Sequence, residues 1–139
     1  MKIVYWSGTG NTEKMATLIA EGISQGGKVA EIINVSGGDE NIFNEEDLII
    51  LGCSAMGDEV LEEGEFEPFI EQISSKISGK KVALFGSYGW GDGQWMRDWE
   101  EKMISYGCQS ILDPLIIENE PEGLGEDRCI EFGKKLASI

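Results

Sequence analysis

Histidine is absent from the 139 residues. That removes the commonest general base, the usual catalytic triads and most zinc chemistry. Basic residues are scarce: 11 Lys and Arg stand against 26 Asp and Glu, for a net charge of −15. Nucleic acids and anionic membranes are recognised by clustered Lys and Arg, so both are poor partners for such a chain. A basic protein, approached under electrostatic steering, is the partner this balance favours. Cysteine is limited to Cys53, Cys108 and Cys129. Their number is odd and their spacing wide, and there is no C-x-x-C. This predicts buried free thiols rather than disulfides or an iron–sulfur or zinc site. No apolar run is long enough to span a bilayer, and Met1 to Ser7 is too short an apolar stretch for a signal peptide. The expected location is the cytoplasm, and the acidic surface favours a monomer. Hydrophobic residues nevertheless make up 41% of the chain, enough for the core of one domain over residues 1–139.

Periodicity gives an alternating order of elements. Lys2 to Trp6 is a short β-type run, and after a Gly/Ser/Thr stretch Met15, Leu18, Ile19, Gly22 and Ile23 recur at helical spacing up to Gly26-Gly27. Val29 to Val35 reads as a second strand, and a short helix is expected around Asn41-Ile42-Phe43. Leu48 to Cys53 and Lys81 to Gly86 are runs apolar enough to be strands covered on both faces. Between them Phe66, Phe69, Ile70, Ile73 and Ile77 mark a second long helix closed by Gly79. Trp95, Met96, Trp99, Met103 and Tyr106 mark a third. Ile111 to Ile117 is a fifth strand, with Pro114 suiting an edge position, and Glu126 to Ala137 is a last helix. Strands alternating with helices predict an α/β fold with a parallel sheet, helices on both faces and right-handed crossovers. Such sheets bind ligands outside the carboxyl ends of their strands. The loops Ser7–Thr12, Ser54–Glu59 and Ser87–Gly93 are therefore the candidates for function.

Ser7-Gly8-Thr9-Gly10-Asn11-Thr12 leads from a strand into a helix. A helix N-terminus offers unpaired N–H groups and about half a positive charge. Gly8 and Gly10 allow close backbone approach, and Ser7, Thr9 and Thr12 add hydroxyls. This is a cup for a terminal phosphate. It lacks the Lys of a P-loop and the spacing of a dinucleotide fingerprint. A phosphatase C-x5-R is also ruled out, because Glu59 stands six residues after Cys53. A receiver domain needs an acidic pair, an Asp and a Lys at places that here hold Ser7, Cys53-Ser54 and Asn119. A carrier of some other phosphorylated ligand stays open at this point.

Together the three loops resemble those of the flavodoxin family, short-chain type, over essentially the whole length. Ser7–Thr12 resembles its phosphate loop, Ser54-Ala55-Met56-Gly57-Asp58-Glu59 its second flavin loop, and Ser87-Tyr88-Gly89-Trp90-Gly91-Asp92-Gly93 its third. The resemblance implies a three-layer αβα, doubly wound, five-stranded parallel sheet in the order 2-1-3-4-5, and FMN as cofactor. The phosphate would sit on Gly8, Thr9, Gly10, Asn11 and Thr12, with hydroxyls from Ser7, Thr9, Thr12 and Ser54. The ribityl chain would pass Ala55, Ser87 and Asn119. The ring would lie between Met56 and Trp90, flanked by Gly89 and Gly91, with Tyr88 at its edge or shielding the loop. Trp6, Trp95 and Trp99 read as core or near-core residues.

The same resemblance implies a one-electron carrier cycling mainly between semiquinone and hydroquinone. Gly57 is free to turn its carbonyl towards flavin N5 on reduction. Asp58 and Glu59 complete the redox-tuning loop, and Glu59 is a candidate acceptor for flavin N3–H. Seven acids lie between Asp58 and Glu71 with no base among them. Several such charges together with the phosphate would depress the second reduction potential by on the order of 100–200 mV, less at high salt. The expected partners are basic-surfaced redox proteins docking at this acidic face. The alternative is a small flavin-dependent NAD(P)H or quinone reductase on the same fold, for whose substrate pocket the chain is short.

Overall fold

The two apolar runs decide the architecture. In a computed structural model, which describes residues 1–56 and 60–139, they form the central strands β3 (Leu48–Cys53) and β4 (Lys81–Tyr88). Around them stand β1 (Lys2–Trp6), β2 (Glu31–Asn34), β5 (Gln109–Ser110) and β6 (Leu115–Glu118). The order is β2-β1-β3-β4-β5 with β6 also on β4, and every pairing is parallel. Among the described residues, three α-helices connect strands, α1 (Asn11–Gln25), α2 (Phe66–Ile73) and α3 (Gln94–Ser105), and a fourth, α4 (Leu124–Ala137), follows β6.

Alternate strand residues divide the core in two, because successive side chains point to opposite faces. Val4, Ile49, Leu51, Cys53, Val82 and Leu84 pack against Phe66, Phe69, Ile70 and Ile73 of α2 and Trp95, Trp99 and Met103 of α3. Ile3, Tyr5, Ile50, Ala83 and Phe85 pack against Met15, Ile19 and Ile23 of α1 and Cys129, Phe132 and Leu136 of α4. The expected layers and strand order are thus present.

Element ends differ from expectation for local reasons. β2 is only four residues long because it is an edge strand paired to β1 alone, from Lys2↔Glu31 to Tyr5↔Asn34; Val29, outside it, is 81% exposed. The expected helix at 41–43 is a run of turns, with Asp39 Oδ1 accepting the Asn41 N–H at 2.8 Å. Such a bond offers the backbone an alternative to helix. α2 ends at Ile73 in a single 3-10 turn, Ser74–Lys76, where Ser74 Oγ donates to Glu71 O. β4 runs two residues beyond its expected end, so Ser87 and Tyr88 are strand residues paired with Ile117 and Glu118. The fifth strand is two segments. After a last bond from Ile111 N to Val82 O at 3.3 Å, residues 112–114 leave the ladder, where Pro114 has no N–H to give; the Ser110 hydroxyl donates to Glu100 at 2.6 Å.

α1 and α4 cross with almost no space between their backbones. A Cβ on Gly22 would overlap the carbonyl of Ile130, and one on Gly133 would overlap the carbonyl of Ile19. These glycines serve proximity, at the expense of helix propensity. Gly125, in the first turn of α4, has only ordinary contacts. Gly133→Ala should therefore destabilise the chain by about 1–3 kcal/mol through overpacking, while Gly125→Ala should leave it unchanged or stabilise it by up to about 1 kcal/mol. Urea denaturation of the two variants checks this; equal midpoints would be inconsistent with the close crossing.

Candidate functional site

The carboxyl ends of β1, β3, β4 and β6 surround a cavity of about 300 Å³. Its wall consists of Trp6, Gly8, Thr9, Asn11, Ser54, Ala55, Met56, Ser87, Tyr88, Gly89 and Asn119. The first candidate loop supplies the helix end. Gly10, with φ of 95°, is the N-cap of α1 and no side chain caps this terminus. The first intrahelical bond runs from Lys14 N to Gly10 O, so the N–H groups of Asn11, Thr12 and Glu13 have no acceptor within the helix. Ser7 Oγ accepts the Gly10 N–H at 3.1 Å and folds the loop on itself, keeping its own O–H to give.

Thr12 also joins the loops of the site to one another. Its side chain is fully buried. Oγ1 lies 2.6 Å from Ser54 Oγ and accepts the Ser87 N–H at 3.2 Å, so one hydroxyl ties the first, second and third loops together beneath the cavity. Further bonds complete the frame. Ala55 N donates to Ser87 O, Ser87 Oγ to Asn119 O, and Asn119 N to Tyr88 O. Asn119 is the one non-glycine residue with positive φ, 60°, among the described residues. Asparagine tolerates that conformation better than most residues.

Gly57, Asp58 and Glu59 lie outside the described residues. On either side of them Met56 N donates to Val60 O at 2.9 Å. Glu62 then turns its carboxylate onto the N–H groups of Gly64, Glu65 and Phe66, at 2.6, 2.8 and 2.8 Å, and so holds the start of α2. Burial pushes this carboxyl up, but the three N–H bonds outweigh it and hold it below the ordinary carboxylate range.

The third loop is only partly in the wall. Gly89 contributes, whereas Trp90 is 60% exposed and, like Gly91, stands outside it. The far half of this loop is held from α3, where the Arg97 guanidinium bonds Asp92 Oδ1 and O at 3.0 Å each. Met56, the other expected cover, is in the wall and 36% exposed. Trp95 and Trp99 are core residues, as expected; Trp6 is only half-buried and forms part of the cavity. Sequence reading missed that role, and missed Glu62 as a cap. The one signal for Trp6 was its position two residues before Gly8 at a strand end.

No Lys or Arg contributes to the wall. Lys14, nearest in sequence, is engaged outside by Glu120 at 3.2 Å and Glu126 at 3.6 Å, and the bond to Glu120 helps raise its pKa. Cys53, Cys108 and Cys129 are buried and free, as expected. Burial pushes the Cys53 thiol up to about 12 and Cys129 up to about 11, so neither supplies a thiolate nucleophile.

An uncapped helix end over the carboxyl edge of a doubly wound parallel sheet is the arrangement of a small α/β ligand-binding protein. Comparison with known proteins narrows this. The family model for flavodoxin matches residues 3–133. The chain is 69% identical to the flavodoxin of Clostridium beijerinckii over all of both chains, and 40% identical to that of Megasphaera elsdenii over 99% of this chain and 98% of that one. The solution structure of two-electron reduced Megasphaera elsdenii flavodoxin superimposes with a TM-score of 0.90, covering 99% of this chain and 98% of that one. The chain belongs to the flavodoxin family. Its class is that of electron-transfer proteins, not enzymes, and its cofactor is FMN. The reductase alternative is not favoured. Among the described residues no helix is long and apolar enough to cross a membrane.

Two variants test this framework. Thr12→Val keeps shape but strands the buried Ser87 N–H, and should lower the stability of the flavin-free chain by about 1–3 kcal/mol; unchanged denaturation would show that the hydroxyl ties nothing. Glu62→Gln should destabilise by about 1–2 kcal/mol at neutral pH. Because the folded-state pKa of Glu62 is lowered, its contribution is full above the ordinary carboxylate range and fades as pH falls through it. The gap between native and variant should therefore narrow in acid. A gap that is the same at neutral and acid pH would exclude the cap.

Proposed function

We propose that the cavity is the FMN site of a low-potential one-electron carrier. The single observation that carries this reading is the uncapped N-terminus of α1 opening onto a cavity framed by four strand ends, with no Lys or Arg among the described residues of its wall. The donor set fits a phosphate dianion: first-turn N–H groups together with hydroxyls of Ser7, Thr9 and Ser54. The rest of the wall fits a flat ring on a polyol, with apolar surface from Ala55, Met56 and Tyr88 and polar groups from Ser87 and Asn119. Thr12 contributes its N–H, while its side chain frames the loops.

Bound there, the flavin supplies one-electron transfer between its half-reduced and fully reduced states. The chain sets how easily each electron is added. Met56 would cover one face of the ring and Trp90, next to Gly89 of the wall, the other. Of the second-loop residues outside the described ones, Gly57 would accept a hydrogen bond from a protonated N5 through its carbonyl, and Glu59 would accept one from N3–H. Carboxylates around the site oppose a second negative charge. Glu62 is among them, kept ionised by its backbone donors. The net charge of −15 favours transient docking on basic patches of redox partners. Buried free thiols suit a reducing compartment, which supports a cytoplasmic location; cell fractionation checks it.

Titrating the flavin-free chain with FMN should quench flavin fluorescence at micromolar concentrations, and stepwise dithionite reduction should proceed through a one-electron form. No quenching would remove the reading. Gly57→Thr should lower the yield of that one-electron form, and an unchanged yield would dismiss the role given to Gly57. Electron transfer to a basic partner, followed by stopped flow, should slow as ionic strength rises, whereas a flat response would discard the docking surface alone.

A further inference from the structure

Trp6 ends β1 on the side of the sheet away from α1. Val4 and Trp6 belong with the α2/α3 core, while Ile3 and Tyr5 belong with the α1/α4 core. From Trp6, paired with Cys53, the chain crosses the top of the sheet to reach α1 on the opposite face. The indole ring lies in that crossing. A Cβ at Gly8 would stand 3.0 Å from Trp6 Cη2 and 3.5 Å from Cζ3. The Gly8 backbone therefore rests on the benzo edge of the ring. Gly8 is not among the glycines with positive φ, so a side chain there would crowd the Trp6 ring rather than strain the backbone. The ring is half-buried, packs on the core and lines the cavity beside Gly8, Thr9 and Asn11.

Resting on the FMN reading of this cavity, we propose that Trp6 is a positioning residue for the phosphate end. Its ring is the platform that sets the height of Gly8 to Asn11, so that the first-turn N–H groups of α1 converge on one anion. A core tryptophan would support the whole domain, whereas a platform supports one loop. FMN and riboflavin separate the two roles, because they share the ring and polyol and differ in the phosphate.

The experiment measures both affinities on the flavin-free chain by fluorescence quenching, with thermal unfolding followed in parallel. Trp6→Leu should weaken FMN by about tenfold or more, the loss of one charge-assisted contact, and riboflavin by less than about twofold. Trp6→Phe should recover most of the FMN affinity. Gly8→Ala should weaken FMN in the native background and much less in the Trp6→Leu background, where the added Cβ meets no ring. Equal losses for both flavins, no loss for either, failure of Trp6→Leu to fold, or the same Gly8→Ala effect in both backgrounds would each overturn the assignment. A native chain that binds neither flavin would instead remove the FMN reading, and this assignment with it. A native chain that binds FMN while the Trp6 comparison fails removes this assignment alone.

Discussion

Burial of β3 and β4 on both faces is the constraint from which the rest follows. A strand apolar on every side chain needs cover above and below, and helices on both faces supply it. Helices that return the chain to a parallel neighbour must cross right-handedly. All strand-to-helix loops then emerge at one edge of the sheet. The site is a by-product of that geometry: loops distant in sequence meet because the core requires their strands to be neighbours. Thr12, Ser54 and Ser87, 75 positions apart at the extremes, share one hydroxyl for this reason.

The electrostatics of the site are those of dipoles in an acidic protein. The described wall carries no Lys or Arg, and Lys14, nearest to the first loop in sequence, is paired with Glu120 and Glu126. In the proposed reading, attraction for an anion would come from N–H groups at the end of α1, which add no mobile charge and need little reorganisation. The excess of carboxylates in the chain would act in the opposite sense and resist further negative charge. Glu62 links these roles, since the N–H groups it caps to start α2 also keep it ionised beside the second loop.

Much of the fold was legible because its strands are buried and its helices amphipathic. Continuous apolar runs marked β3 and β4, and 3.6-residue spacing marked α1, α3 and α4. The errors fall where local bonds or edge position win over pattern. The Asp39 carboxylate makes turns of 40–45, the edge position shortens β2, and Pro114 with Ser110 splits the last strand. The loop that opens α1 was legible from its glycines and hydroxyls, since a helix N-terminus needs no distant residue to be recognised. Trp6 was not. A tryptophan at a strand end looks the same whether its ring joins the core or carries a loop.

Composition and periodicity by themselves determined the layers, the buried thiols, the acidic balance of charge and the position of the uncapped helix end. Each depends on residue types or on spacing within one element. Only the tertiary structure decided that the Thr12 hydroxyl lies inside the frame, that the Trp6 ring lies under Gly8, that Glu62 caps α2, and that Trp90 stands outside the wall. Those outcomes are set by which side chains from separate elements reach the same few ångströms, and no pattern within one segment records that.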